Sequence, residues 1–102
     1  KEIIITGGLN VYPHEVERAL EAVPGVADVA VVGLPSPRWG EQVTAFIVPA
    51  PGAALEPEVL RASAARTLAA YKRPKEYRVV ADLPRNHMGK VMRSALVAAA
   101  EG

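Results

Sequence analysis

Proline and glycine recur along this chain at intervals that leave room only for short regular elements, and this punctuation outlines the fold before any chemistry is considered. The 102 residues include nine prolines and eight glycines. The β-branched run at residues 3–6 ends at Gly7-Gly8, which reads as a strand entering a tight turn, because glycine adopts positive φ without a steric cost. A hairpin or bent ribbon follows. Pro13 suits the first turn of a helix, in which Val16, Ala19, Leu20 and Val23 recur at helical spacing until Pro24-Gly25 stops it. Residues 26–32 and 42–48 read as buried strands, and Pro49-Ala50-Pro51-Gly52 as a turn. Pro57 opens a second helix with Leu60, Ala64, Leu68 and Tyr71 on one face and Arg61 and Arg66 left to solvent. Lys72-Arg73-Pro74 ends that helix, residues 76–81 form a last strand, and residues 93–100 an alanine-rich closing helix.

By pattern alone, this order of strand, helix, strand, strand, helix, strand is that of a ferredoxin-like module, a scaffold for many unrelated functions. Half of the residues are hydrophobic, enough for one modest core, so residues 1–102 read as one domain. A net charge of +1 argues against a general nucleic-acid binder, whose basic footprint is larger and clustered. The absence of cysteine excludes disulfides, thiolate catalysis and Cys-ligated zinc, and fits a cytoplasmic setting. No run approaches the roughly 18 uninterrupted apolar residues of a membrane span, and no signal-peptide pattern is visible. The start at Lys1-Glu2, directly before a strand, reads as a cut inside a longer protein.

One loop carries a candidate for chemistry. Pro84-Arg85-Asn86-His87-Met88-Gly89-Lys90-Val91-Met92-Arg93 places Lys90 directly after a glycine, where a flexible loop can swing its compact point charge into a neighbouring site. This is not a P-loop, because Pro84 stands in place of the first glycine and Val91 in place of the Ser/Thr. His14 and His87 have no Cys or second His clustered with them, so no metal site is expected. Glu15 and Glu17 point to different sides of one helix and are not a paired acid and base; Glu17 is expected to fix the loop before it. Trp39-Gly40-Glu41 is expected to pack a loop on the sheet. Lys72, Arg73 and Lys75 form the most basic short segment, either a solvated face or a contact for phosphates or an acidic partner surface.

Glu2-Ile3-Ile4-Ile5-Thr6-Gly7-Gly8-Leu9-Asn10-Val11-Tyr12-Pro13-His14-Glu15-Val16-Glu17 resembles the glycine-turn motif that opens the C-terminal domain of adenylate-forming enzymes, in particular acyl-CoA synthetases. Val31-Val32-Gly33-Leu34-Pro35-Ser36-Pro37-Arg38-Trp39-Gly40-Glu41, Tyr71-Lys72-Arg73-Pro74-Lys75 and the Lys90 loop match that family in order, so the resemblance covers essentially the whole chain. It implies a small α+β lid, with an N-terminal two-stranded ribbon and a three-stranded sheet flanked by helices. The implied partner is the enzyme's own large N-terminal adenylation domain, which holds ATP, Mg2+ and the carboxylic acid, with fatty or other apolar acids favoured. Lys90 would bridge the carboxylate and the α-phosphate during adenylation. Gly7, Gly8 and Leu9, flanked by Asn10 and Tyr12, would line the channel for the coenzyme A thiol, with Lys72 and Arg73 near the coenzyme A phosphates. The lid would rotate between the two steps. An exposed Lys90 would also suit a protein lysine acetyltransferase, with a deacetylase to restore it. Two other readings of the residues stay open: a ferredoxin-like ligand-binding or regulatory module, and an interaction domain modified at Lys90.

Overall fold

Strands β1 (Ile4–Thr6) and β2 (Leu9–Val11) pair antiparallel from Ile4↔Val11 to Thr6↔Leu9, which leaves Gly7-Gly8 as a two-residue turn. Both glycines have positive φ, 56° and 84°, as a type I′ hairpin turn demands. The structure is a computed structural model that describes residues 2–101. Helix α1 (Pro13–Glu21) follows, with Pro13 at its start. Strands β3 (Val26–Ser36) and β4 (Gly40–Pro49) form a long antiparallel hairpin. Helix α2 (Pro57–Thr67) and one 3₁₀ turn (Ala70–Lys72) lead to β5 (Glu76–Val79), and helix α3 (Arg93–Glu101) closes the chain.

β5 lies directly beside β4 and parallel to it, from Thr44↔Glu76 to Ile47↔Val79. The unit β4-α2-β5 is therefore a plain βαβ with no strand inserted between its parallel pair, unlike the split βαβ of a ferredoxin-like module. The ribbon joins this three-stranded sheet through one pairing, Thr6↔Gly40. The α+β lid expected from the family resemblance is the fold observed.

The sheet is covered on both sides. Val29, Val31, Val43, Ala45 and Ile47 face a core completed by Val16 and Leu20 of α1 and Leu60 and Ala64 of α2. The alternate residues Ala30, Val32, Leu34 and Phe46 face a smaller core with Leu83 and Leu96. Two covered faces explain why β3 and β4 read as nearly continuous apolar runs. Burying one such side chain, Leu20 or Ile47 for example, contributes about 1.5–3 kcal/mol.

Several boundaries differ from the sequence pattern, among them α1, which ends at Glu21, and β4, which runs Gly40–Pro49. β3 runs on through Pro35 because it is an edge strand, where proline's missing N–H costs no ladder bond. α2 ends at Thr67 and Leu68 turns extended, so Tyr71 leaves the buried face and is 38% exposed. Arg73 takes up the carbonyls freed at that helix end, donating from Nε to Leu68 O (2.9 Å) and from Nη2 to Ala65 O (3.2 Å). β5 stops at Val79, two residues earlier than the pattern suggests.

Candidate functional site

The segment carrying Lys90 hangs between two buried leucines, Leu83 and Leu96, and residues 85–90 are all exposed. Apolar packing cannot shape such a segment, so polar contacts must. Met92 N–H donates to Pro84 O (2.8 Å) and Arg85 pairs with Val91 across an antiparallel bridge. Inside that closure Asn86 acts as the brace: its Oδ1 accepts from Met88 N–H (2.9 Å) and Lys90 N–H (3.0 Å), and its own N–H donates to Lys90 O (2.9 Å). Arg85 donates to Gly89 O (2.7 Å) and pairs with Asp28 of β3. Gly89 turns the chain at φ 85°. The flexible loop expected from the sequence is thus a closed, hydrogen-bonded turn. Among the described residues the Lys90 amine has no hydrogen-bond or ion-pair partner.

Arg93, the first residue of α3, meets Glu17 of α1 in a largely buried pair, with Nη2 to Oε2 at 2.6 Å and side chains 11% and 8% exposed. The same Glu17 oxygen accepts Val31 N–H (2.9 Å), and Arg93 Nε donates to Val31 O (3.3 Å). His14 Nδ1 lies 3.1 Å from Glu17 Oε1. Glu17 therefore ties α1 to β3 and α3, and its expected role of fixing the preceding loop is corrected accordingly. His14, Glu17, Asp28, Arg85, Lys90 and Arg93 line one charged cleft.

The glycine turn belongs to another part of the surface. Gly7 N–H donates to Trp39 O (2.8 Å), and a Cβ on Gly7 would sit 3.5 Å from the Trp39 ring, whereas one on Gly8 would meet nothing within 4 Å. Thr6, Gly7, Leu9, Trp39, Tyr71 and Lys75 line a small pocket there. Trp39 packs as expected, and it also carries two cations, with Arg38 and Lys75 each 4.8 Å from its ring centroid. Lys75 is thus the basic residue that reaches the turn. Lys72 is held by both carboxylate oxygens of Glu15 (3.0 and 2.8 Å); that hydrogen bond, opposed by partial desolvation, raises its pKa. Arg73 is committed to the end of α2.

Among the described residues no three His, Cys, Asp or Glu side chains gather closely enough to hold a metal ion, and no helix is long and apolar enough to cross a membrane.

Residues 15–90 match the AMP-binding enzyme C-terminal domain. The chain belongs to this family. It is 44% identical over 97 residues to sulfoacetate–CoA ligase of Cupriavidus necator, covering 95% of this chain and 19% of that protein. It is 46% identical over 96 residues to fatty acid–[acyl-carrier-protein] ligase ScoC of Streptomyces coeruleorubidus, covering 94% and 18%. The crystal structure of apo MatB from Rhodopseudomonas palustris superposes with a TM-score of 0.96 at 42% identity, over 99% of this chain and 20% of that one. This chain therefore spans about a fifth of the length of these proteins.

Proposed function

We propose that this chain is the mobile C-terminal lid of an ATP-dependent, AMP-forming acid:CoA ligase, working with a larger N-terminal adenylation domain that holds ATP, Mg2+ and the acid. The observation that carries this reading is the family match over residues 15–90, which ends on Lys90 itself. In the first step a substrate carboxylate attacks the α-phosphorus of ATP and pyrophosphate leaves. Two anions must meet, and negative charge spreads over the phosphoryl oxygens. Lys90, a cation on a braced backbone with no partner among the described residues, supplies the compensating charge. Removing one preorganised donor of this kind costs about 10²–10³ in rate.

In the second step a thiol attacks the acyl carbon and AMP leaves. Gly7, Gly8 and Leu9 form the wall along which the thiol-bearing arm of coenzyme A runs, since the side of Gly8 is open. Lys75 and, on release from Glu15, Lys72 are the cations offered to the coenzyme A phosphates on that side. We assign Arg73 to holding the end of α2 instead. The acid pocket lies outside this domain, because relatives named for acids as different as sulfoacetate and a fatty acid are equally similar here. The similarity to an acyl-carrier-protein ligase also favours a second reading of the acceptor, a carrier-protein thiol. Competition between coenzyme A and a carrier protein bearing a free, unacylated thiol arm for one acyl-adenylate separates the two.

The test is Lys90→Ala in the full-length enzyme, with the half-reactions measured separately. Acid-dependent pyrophosphate exchange is expected to fall about 10²–10³-fold while thioester formation from supplied acyl-adenylate is retained; equal losses in both overturn the assignment.

Lys90 is also the lysine we assign to a protein lysine acetyltransferase and its opposing deacetylase, since acetylation would erase the charge adenylation needs. Among the described residues its amine has no partner, whereas Lys72 is bound to Glu15 and Lys75 lies over Trp39. Mass spectrometry after incubation with such an enzyme and acetyl-CoA is expected to find the adduct on Lys90; an even spread over Lys72, Lys75 and Lys90 would exclude a specific switch.

A further inference from the structure

Lys90 has four rotatable side-chain bonds, so its amine can be placed accurately only if its Cα is fixed. We propose that Arg85, Asn86 and Arg93, anchored on Asp28 and Glu17, form a positioning frame for Lys90. This rests on the adenylation role proposed above.

Two arginines stand on either side of the lysine in sequence, and each spans a carboxylate and a main-chain carbonyl. Arg85 joins Asp28 to Gly89 O, and Arg93 joins Glu17 to Val31 O. Both anchors end on β3, through Asp28 and Val31, and the second also locks α1 through Glu17. Between the two clamps Asn86 binds the Lys90 main chain at both its N–H and its C=O. The planar guanidinium fork suits this geometry, and an ammonium cannot reproduce two fixed directions. Arg85 and Asn86 hold the loop main chain directly, and Arg93 fixes the start of α3 three residues after Lys90, so the exposed residue is held from both sides. A misplacement of about 1 Å at a reacting group can cost on the order of 10²-fold in rate. The frame is therefore a kinetic device as well as a structural one.

The test uses the full-length enzyme and three variants. Arg93→Lys keeps the charge and loses the fork. Asn86→Ala removes an exposed acceptor with little consequence for folding, and Asn86→Asp restores it. For Arg93→Lys and Asn86→Ala, kcat for acid-dependent pyrophosphate exchange is expected to fall about 10–100-fold with little change in KM for ATP, while thioester formation from supplied acyl-adenylate stays within about twofold. Asn86→Asp is expected to recover most of the rate. In Asn86→Ala the Lys90 amide should also lose hydrogen-exchange protection while the amides of β3 and β4 keep theirs. The frame is refuted if both half-reactions fall together, if exchange is unaffected, or if Asn86→Asp is as poor as Asn86→Ala. Lys90→Ala separates the two levels: if it leaves adenylation intact, the underlying role fails; if it cripples adenylation while the frame variants do not, only this inference fails.

Discussion

Glu17→Ala isolates the contribution of the buried pair to stability. The substitution leaves Arg93 without its carboxylate at a site where the guanidinium side chain is only 11% exposed, and it strips Val31 N–H of its acceptor. Breaking a buried pair by removing one partner costs about 3–5 kcal/mol, because the surviving charge stays desolvated. Arg93 keeps its bond to Val31 O and borders an open cleft, so the lower end, about 3 kcal/mol, is expected. For a domain of this size, with a total stability of about 5–15 kcal/mol, that is a large fraction. It corresponds to a fall in Tm of about 12–24 °C.

The assay is urea unfolding of the 102-residue chain for Glu17→Ala, Arg93→Ala and the double variant. The two singles are expected to be strongly non-additive, with a coupling of about 2–3 kcal/mol and an unchanged m-value. Glu58–Arg61 provides the internal control, since it is an i,i+3 pair at 3.4 Å with side chains 84% and 50% exposed. Its coupling should be about 0.5 kcal/mol or less. A Glu17→Ala cost below about 1 kcal/mol, or a coupling no larger than that of the control pair, would refute the reasoning.

Gly8→Trp in the full-length enzyme should impair the thiol-dependent step more than pyrophosphate exchange, because its side chain would project into open space along the proposed channel. Gly8→Asn, which tolerates positive φ, serves as the backbone control, and an equal loss in both variants would reduce the turn to a structural role. Alkaline unfolding supplies another test. Lys72 is raised in pKa by its bond to Glu15 and Tyr77 chiefly by burial, so both bind their protons more tightly folded than unfolded. The stabilising contribution of Lys72 is full below about pH 10 and is lost as pH rises through its folded value, and over the same range the easier ionisation of Tyr77 in the unfolded chain adds a further destabilisation. Urea midpoints should therefore fall above that pH, and less steeply in Lys72→Met and Tyr77→Phe. The Tyr77 hydroxyl is buried without a hydrogen-bond partner, so Tyr77→Phe should cost nothing at neutral pH.

Proline and glycine made the skeleton legible because each acts locally. Gly7-Gly8 fixes a turn and Pro13 and Pro57 open helices through backbone geometry alone. The errors lie where a distant partner decides. Pro35 reads as a break until β3 is known to be an edge strand, and Leu68 keeps helical spacing although the helix has already ended, because the core still claims its side chain. In the Lys90 loop the glycine suggests mobility, but Asn86, an asparagine well suited to bonding the main chain two residues on, carried the opposite signal. The Glu17–Arg93 pair spans 76 residues, a separation that no periodicity reports. One local clue existed. Glu17 falls on the same stripe of α1 as the buried Pro13, Val16 and Leu20, and a carboxylate there requires a partner.

Glu15 and Glu17 stand two residues apart and leave α1 in different directions, and this divergence gives the helix its purpose. Glu15 holds Lys72, next to Tyr71 at the glycine-turn pocket, while Glu17 holds Arg93, three residues beyond Lys90. Only Tyr12 separates the end of the ribbon from the start of α1. The helix therefore links both candidate regions to one packed body, and Val16 and Leu20 lock that body into the core at zero exposure. Both regions are thus carried by one packed body, and separating α1 from that body would break the buried Glu17–Arg93 pair and expose Val16 and Leu20, at a cost that is a large fraction of the stability of the domain. On the function proposed above the two regions serve successive steps, and a rotation of the domain as a unit is the motion we propose to exchange them. A core substitution in α1, Leu20→Ala, should then damage both steps, while the frame variants Arg93→Lys and Asn86→Ala damage adenylation alone and a variant in the glycine turn damages the thioester step alone.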